Sequence, residues 1–236
     1  MQLRMDQLAP AVWVIYGKDK PDAAKAFVRF QEYYENAKLK GVKGLVVRDI
    51  EDWWEEHRDK DEKELYYTFW SGFNVPGKVI LDLVRSATFR NGFSIKDFLL
   101  HPLRYPRWHK QETEFLLLLE TLTSEQINTG YFIGMWHGSE QVLHHEVAHA
   151  FFATIPAYRA EQMYNLSEFP KELYKDLSGK LVDMGYHGDV VLDEMQAYLS
   201  SYPETLPEIF DTDKYNDYTY PFVQTLNRHR TQNTPS

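Results

Sequence analysis

The chain has 236 residues, a formal net charge of −9, a 43% hydrophobic share with abundant aromatic side chains, and no cysteine. This composition is typical of a globular protein with a sizeable core; it excludes disulfides and thiolate metal ligands, and its acidic balance argues against nucleic acid as a partner. Because the sequence has neither a signal peptide nor a run of about eighteen apolar residues, we expect no membrane partner and a cytoplasmic location.

The first part of the chain, residues 1–110, is expected to form an N-terminal α/β lobe of unknown role. Residues 13–16 are β-branched and aromatic and predict a strand. An apolar repeat at steps of three and four predicts a helix over residues 21–41. A second strand is expected at 44–47, before an acidic segment at 49–64 that we interpret as a solvated helix face.

The pattern of residues 65–85 leaves two structures open. It fits either a hairpin or two helices joined by a turn, and we favour a helix for its second half, with Pro76 as the first helical residue. A short helix is then expected at 94–100, and two prolines predict a connection at 101–106.

The second part, residues 111–236, is expected to form the core. A leucine-rich run at 111–122 fits a buried helix, although its continuous apolar pattern does not by itself exclude a strand. A strand is expected at 131–136, and it leads into a helix at 139–155. A substrate backbone could add to the free edge of the strand. The predicted fold class is therefore α+β and mostly helical, with a small sheet before the 139–155 helix.

Further helices are expected after this point. Apolar spacing predicts them at 158–164, 166–184 and 190–201, and the residues from 226 onward are polar and predict a frayed tail.

The 139–155 helix carries the chemistry, in the stretch His145-Glu146-Val147-Ala148-His149. Residues four apart stack on one helical face, so the two imidazoles can grip one metal ion. Glu146 projects about 100° away from His145, where it can reach a metal-bound water without being a ligand. Ser139 is expected to cap this helix, and Pro156 is expected to end it.

Zinc in a hydrolytic site takes three protein ligands, so two histidines leave the set one short. The best candidate is Glu194, which lies 45 residues after His149 near the start of its own predicted helix. His187 is the competing ligand, because imidazole also suits zinc.

HEVAH followed by a helix with the sequence DEMQAY resembles the gluzincin branch of the zincin metallopeptidases over residues 111–201. The metzincin branch would need glycine and histidine where this chain has Phe152 and Ile155. The resemblance implies a zincin-like core in which zinc is bound by two histidines and a later glutamate, here His145, His149 and Glu194.

The resemblance also implies roles for the neighbouring residues. Glu146 would be the general base, and Asp193 would help to orient the histidines. Tyr198 occupies a position where the family usually has aspartate, and its phenol would be a weaker partner for an imidazole. Tyr186 or His187 would stabilise the oxyanion, with Tyr186 preferred.

The expected function is a zinc metallopeptidase that hydrolyses peptide bonds in a peptide or protein substrate. Two alternatives remain open at this point. The same site could hydrolyse a non-peptide amide, or the chain could be an inactive zincin-fold binding protein whose acidic 49–64 segment contacts a partner. The sequence does not indicate an oligomeric state.

Overall fold

The computed structural model describes residues 3–42, 67, 72–88, 109–139, 142–201 and 212–233. Its strands are β1 (Arg4–Ala9), β2 (Val12–Gly17), β3 (Phe73–Pro76) and β4 (Tyr131–Trp136). Its helices are α1 (Lys20–Glu35), α2 (Gly77–Thr88), α3 (Lys110–Leu119), α4 (Ser124–Thr129), α5 (Leu143–Thr154), α6 (Pro156–Glu168), α7 (Lys171–Asp183), α8 (Val191–Ser200) and α9 (Thr212–Asn233). The predicted fold class, α+β and mostly helical, is confirmed.

The strands form one mixed sheet in the order β1-β2-β4-β3. β4 runs parallel to β2 and antiparallel to β3, and Ile133 of β4 pairs with Val14 on one side and Asn74 on the other. The strand at 131–136 is therefore confirmed, but the expectation that it has a free edge is wrong. Its run YFIGMW is buried on both faces, as interior strands are. Among the described strands, β1 and β3 lie at the edges.

Helices cover both faces of the sheet. One face packs against α1, α2 and α3 through Trp13, Ile15, Phe73, Val75 and Phe132. The other face packs against α5 through Val12, Val14, Tyr131, Ile133 and Met135. Gly134 lets α1 approach closely, because a Cβ atom there would lie 2.8 Å from Cδ2 of Phe27. A further apolar cluster joins α6, α7, α8 and α9 beside this three-layer arrangement.

The sheet takes strands from both parts of the chain: β1, β2 and β3 precede residue 110, and β4 follows it. A buried ion pair makes a second link, because Nε of Arg29 in α1 lies 2.8 Å from Oε1 of Glu112 in α3. The motif helix α5 thus packs on a sheet to which residues before 110 contribute three strands.

Two helix boundaries differ from expectation near β3 and α5. Pro76 is the last residue of β3 and α2 begins at Gly77, because Pro76 still pairs with Tyr131 of β4. Ser139 does not cap α5, which begins at Leu143. The Ser139 hydroxyl instead donates to the carbonyl of Trp136 and accepts from its backbone N–H, which closes the turn after β4.

Three further helical segments differ from the predicted pattern. The first helix ends at Glu35 rather than near Gly41, because the Asn36 side chain accepts hydrogen bonds from the next backbone N–H groups. The 166–184 segment divides at Pro170 between α6 and α7. The tail expected to fray from residue 226 is helical as far as Asn233, and Leu226 is buried.

The expectations for residues 44–47, 49–64, 94–100 and 101–106 lie outside the described residues. No helix within the described ranges is long and apolar enough to cross a membrane.

Candidate metal centre

Helix α5 brings His145 and His149 together one turn apart, as their spacing predicts. Both side chains are buried, and their Nε2 atoms lie 3.1 Å from each other. The following Pro156 begins α6, so α5 ends at Thr154 with the backbone N–H of Ile155 bonded to Phe151. The two imidazoles therefore point one nitrogen each at a common position.

Helix α8 adds a carboxylate to this position. Oε1 of Glu194 lies 3.6 Å from Nε2 of His149, and Oε2 lies 3.8 Å from Nε2 of His145. Among the described residues, His145, His149 and Glu194 form a buried group that could hold a metal ion, with ligand atoms all within 4.8 Å of one another.

The remaining ring nitrogens fix how each imidazole presents its Nε2 atom. Nδ1 of His149 lies 2.9 Å from Oδ1 of Asp193, to which it donates. Nδ1 of His145 lies 3.3 Å from Oγ of Ser201, whose own proton goes to the carbonyl of Ala197. Each Nδ1 is thus a donor, and when both rings are neutral each directs the lone pair of Nε2 toward the other.

This arrangement fits a bound cation. Two acceptor nitrogens 3.1 Å apart repel each other unless a proton or a cation lies between them. Oε2 of Glu194 is also buried and has no hydrogen-bond partner within the described part of the chain. Two imidazole nitrogens and one carboxylate oxygen are the donor set that a catalytic zinc accepts, so these residues fit such a metal.

Burial and neighbouring charges have opposing effects on the pKa values of this cluster. Burial lowers the pKa of His145 well below its usual range, and His149 adds to that shift. Burial also acts to lower the pKa of His149, yet the carboxylates of Asp193 and Glu194 raise it well above its usual range. Burial raises the pKa of Glu194 to about 8, against the opposing effect of His149. The surrounding carboxylates therefore favour positive charge at this position.

Glu146 lies close enough to this group for its charge to act on Glu194, and its carboxylate is held by Asn74 of β3. The residue is 3% exposed, and Nδ2 of Asn74 donates to its Oε2 atom at 2.8 Å. Oδ1 of Asn74 accepts a hydrogen bond from the Tyr131 hydroxyl at 2.5 Å. Burial raises the pKa of Glu146, while the hydrogen bond from Asn74 works in the other direction.

Tyr186 and His187 follow α7 and occupy different environments. The Tyr186 hydroxyl contacts the Glu194 carboxylate and lies 3.4 Å from the hydroxyl of Tyr198. The His187 side chain is 35% exposed, and its Nδ1 accepts a hydrogen bond from the backbone N–H of Asp189 at 3.1 Å. His187 lies outside the three-residue group.

Tyr198 contacts His145 through its ring. The two ring centroids lie 4.5 Å apart at an interplanar angle of 54°. The hydrogen-bonding position that the resemblance implies for Tyr198 is occupied by Ser201, which directly follows the last residue of α8. Ser201 lies seven residues after Glu194, a helical spacing that places both on one face and could have revealed it.

The carboxylate of Glu35, which belongs to α1, also borders the site. Glu35 is buried, and its Oε2 accepts a hydrogen bond from Nε2 of Gln31 at 3.0 Å. Burial raises the pKa of Glu35 well above its usual range, with the negative charge of Glu194 adding to the shift. The sequence carries no signal for Glu35 or Asn74, because their places depend on how distant elements pack.

We compared the chain with protein-family models, with curated proteins and with solved structures, and nothing among them matches it. The candidate site therefore stands on its own geometry.

Proposed function

We propose that the protein is a zinc-dependent metallopeptidase with a zincin-like core. The observation that carries this proposal is the convergence of Nε2 of His145, Nε2 of His149 and Oε2 of Glu194, with Glu146 beside them. That oxygen of Glu194 has no hydrogen-bond partner among the residues that the structure describes. Zinc held by these three residues would lower the pKa of a water molecule toward about 7 and polarise a scissile carbonyl.

The residues around the group would carry the remaining steps. Glu146 would accept a proton from the attacking water and deliver it to the leaving amine. The Tyr186 hydroxyl is the better candidate for stabilising the oxyanion, because it already contacts Glu194, whereas His187 is bonded to the surface residue Asp189. Asp193 and Ser201 would keep both histidines in the metal-binding tautomer.

The edge strand β3 borders the proposed catalytic group. It is antiparallel to β4, has no partner among the described strands on its other side, and contacts Glu146 through Asn74. All four residues of β3 are buried, so its outer edge is covered and is not open to a substrate peptide. The part of β3 in this proposal is the contact between Asn74 and Glu146.

Elemental analysis of the purified protein, combined with peptide hydrolysis, tests the proposal. We expect about one zinc per chain and cleavage of a peptide library, both lost on treatment with a chelator. Glu146→Gln should retain the zinc and lose turnover, since it keeps the shape of the side chain but cannot accept the proton. Full activity of Glu146→Gln would contradict the assignment. Zinc binding with cleavage only of small non-peptide amides would favour the amide-hydrolase alternative.

A further inference from the structure

The carboxylate of Glu146 is enclosed by two residues of the same short segment of chain. Asn74 donates to Oε2, and Gly72 lies against the other oxygen. A Cβ atom at Gly72 would stand 1.9 Å from Oε1 and 2.7 Å from Cδ of Glu146. Residues two apart on a strand face the same way, so both contacts come from one face of the chain.

The orientation of the Asn74 amide is itself fixed. Tyr131 is fully buried, and its hydroxyl donates to Oδ1 of Asn74. Because the oxygen of this amide accepts from Tyr131, its NH₂ group must face Glu146. The contact with the carboxylate is therefore specified by a buried chain of two hydrogen bonds, from Tyr131 to Asn74 to Glu146.

The neighbouring side chains on β3 pack on the other face of the sheet. Phe73 and Val75 are fully buried in the cluster between the sheet and α1. Asn74 points instead toward α5, where a buried polar side chain would be costly without its two hydrogen bonds. A strand that only had to pack between two apolar layers would carry an apolar side chain at this position.

We propose that Gly72 and Asn74 are positioning residues that hold the Glu146 carboxylate in one orientation, with Asn74 binding Oε2 and Gly72 leaving room for Oε1. This inference rests on the proposed function, in which Glu146 is the general base. A general base must lie within hydrogen-bond reach of the proton that it takes, so a freely rotating carboxylate is less effective. Asn74, Gly72 and the general base would then be parts of one unit.

Two variants test the proposal from opposite sides of the carboxylate. Asn74→Ala removes the donor, and Gly72→Ala places a methyl group against Oε1. Both should lower kcat by about 10–100-fold, the usual effect of losing an orienting partner, with KM and zinc content close to wild type. Val75→Ala is the matched control, since it disturbs the same strand from its other face and should leave kcat within about threefold.

A double variant separates positioning from general damage to the strand. If Asn74 acts only through Glu146, adding Asn74→Ala to Glu146→Gln should cause no further loss of residual activity. The proposal would be overturned if Asn74→Ala lowered activity by the same factor in the wild type and in Glu146→Gln. It would also be overturned if both single variants, Asn74→Ala and Gly72→Ala, kept the wild-type kcat. If Gly72→Ala does not fold, Asn74→Ala and the double variant still decide.

Crystal structures of the zinc-loaded wild type, Asn74→Ala and Val75→Ala give a readout that does not depend on activity. In the wild type and in Val75→Ala, we expect the Glu146 carboxylate to adopt a single conformation bound to residue 74. In Asn74→Ala, we expect it to be displaced or to adopt several conformations. A Glu146 carboxylate that keeps its wild-type position in Asn74→Ala would contradict the inference. A wild type that binds zinc but cleaves no peptide overturns the proposed function instead, and these structures still decide the positioning.

Discussion

Oδ1 of Asp193 lies 2.9 Å from Nδ1 of His149, and the same oxygen accepts a hydrogen bond from Nε2 of Gln196 at 2.9 Å. The imidazole is therefore oriented by a carboxylate that is itself held in place. Because His149 donates through Nδ1, its Nε2 atom remains available toward Glu194 and His145.

Replacing Asp193 should weaken metal binding without removing a ligand. Asp193→Asn keeps an oxygen that can accept from His149 but loses the negative charge, and we expect zinc affinity to fall by about 10-fold, with a larger loss in Asp193→Ala. A competition titration with a chromogenic chelator measures both constants. Asp189→Asn is the control, since that side chain is 73% exposed and bonded to Lys40. Equal affinities for the wild type and Asp193→Ala would show that Asp193 does not orient the site.

The third proposed ligand can be tested by the stability that zinc confers. At a zinc concentration of 100 times Kd, binding should stabilise the wild type by about 2.7 kcal/mol and raise Tm. Glu194→Gln should lose most of this zinc-dependent increase, because a neutral amide oxygen is a poor replacement for the carboxylate. Glu32→Gln is the matched control, a buried glutamate bonded to Asn36 outside the metal group. An unchanged zinc response in Glu194→Gln would remove Glu194 from the ligand set.

The features that sequence reasoning predicts well are local. The four-residue spacing of His145 and His149 is enough to bring their Nε2 atoms together, because helix geometry depends only on neighbouring residues. In the same way, α3, β4 and α8 follow from apolar patterns within ten residues or so.

The features that sequence reasoning misses depend on packing between distant elements or have only a weak sequence pattern. Asn74 reaches Glu146 across 72 positions of sequence only because β3 pairs with β4 at the edge of the sheet. β1 is mostly exposed and has no apolar alternation, and α9 is polar with Pro221 inside it. Ser139 does not cap α5 for a different reason, because its hydroxyl donates to the carbonyl of Trp136 in the turn after β4.

A buried polar network connects the metal group to the C-terminal helix and should be important for stability. The Tyr158 hydroxyl donates to Oε1 of Gln196 at 2.9 Å and accepts from Nε2 of Gln162 at 2.9 Å. Nε2 of Gln162 also lies 3.3 Å from the carbonyl of Phe222 in α9. Gln196 in turn holds Asp193, so the network ends at the proposed ligand His149.

Tyr158→Phe should lower the free energy of unfolding by about 1–3 kcal/mol, because it leaves buried amide groups without their partner. Urea unfolding measures this change, and the zinc titration should show a smaller loss of affinity than Asp193→Ala. Tyr164→Phe on the same helix is the control, since Tyr164 is 65% exposed and its loss should stay within about 0.5 kcal/mol. Equal stabilities of the two variants would indicate that the network adds nothing to folding.

The buried pair of Arg29 and Glu112 predicts a pH dependence of stability away from the metal group. Nη2 of Arg29 donates to Oε2 of Glu112 at 2.8 Å, and the backbone N–H of His109 donates to the same oxygen at 2.6 Å. Burial nevertheless raises the pKa of Glu112 to about 7 from an ordinary value of 4.5, since desolvation outweighs the opposing effect of Arg29. The folded protein therefore binds this proton more tightly than the unfolded chain does.

A raised carboxyl pKa stabilises the folded state below about pH 4.5, and that contribution is lost as the pH rises through about 7. Urea unfolding of the wild type and Glu112→Gln between pH 4.5 and 8 should show this loss only in the wild type, with a slope of at most roughly 1.4 kcal/mol per pH unit. The free energy of unfolding of the wild type, relative to that of Glu112→Gln, should therefore fall as the pH rises. A relative stability of the wild type that rises over this range would mean that pairing with Arg29 outweighs the cost of burying the carboxylate.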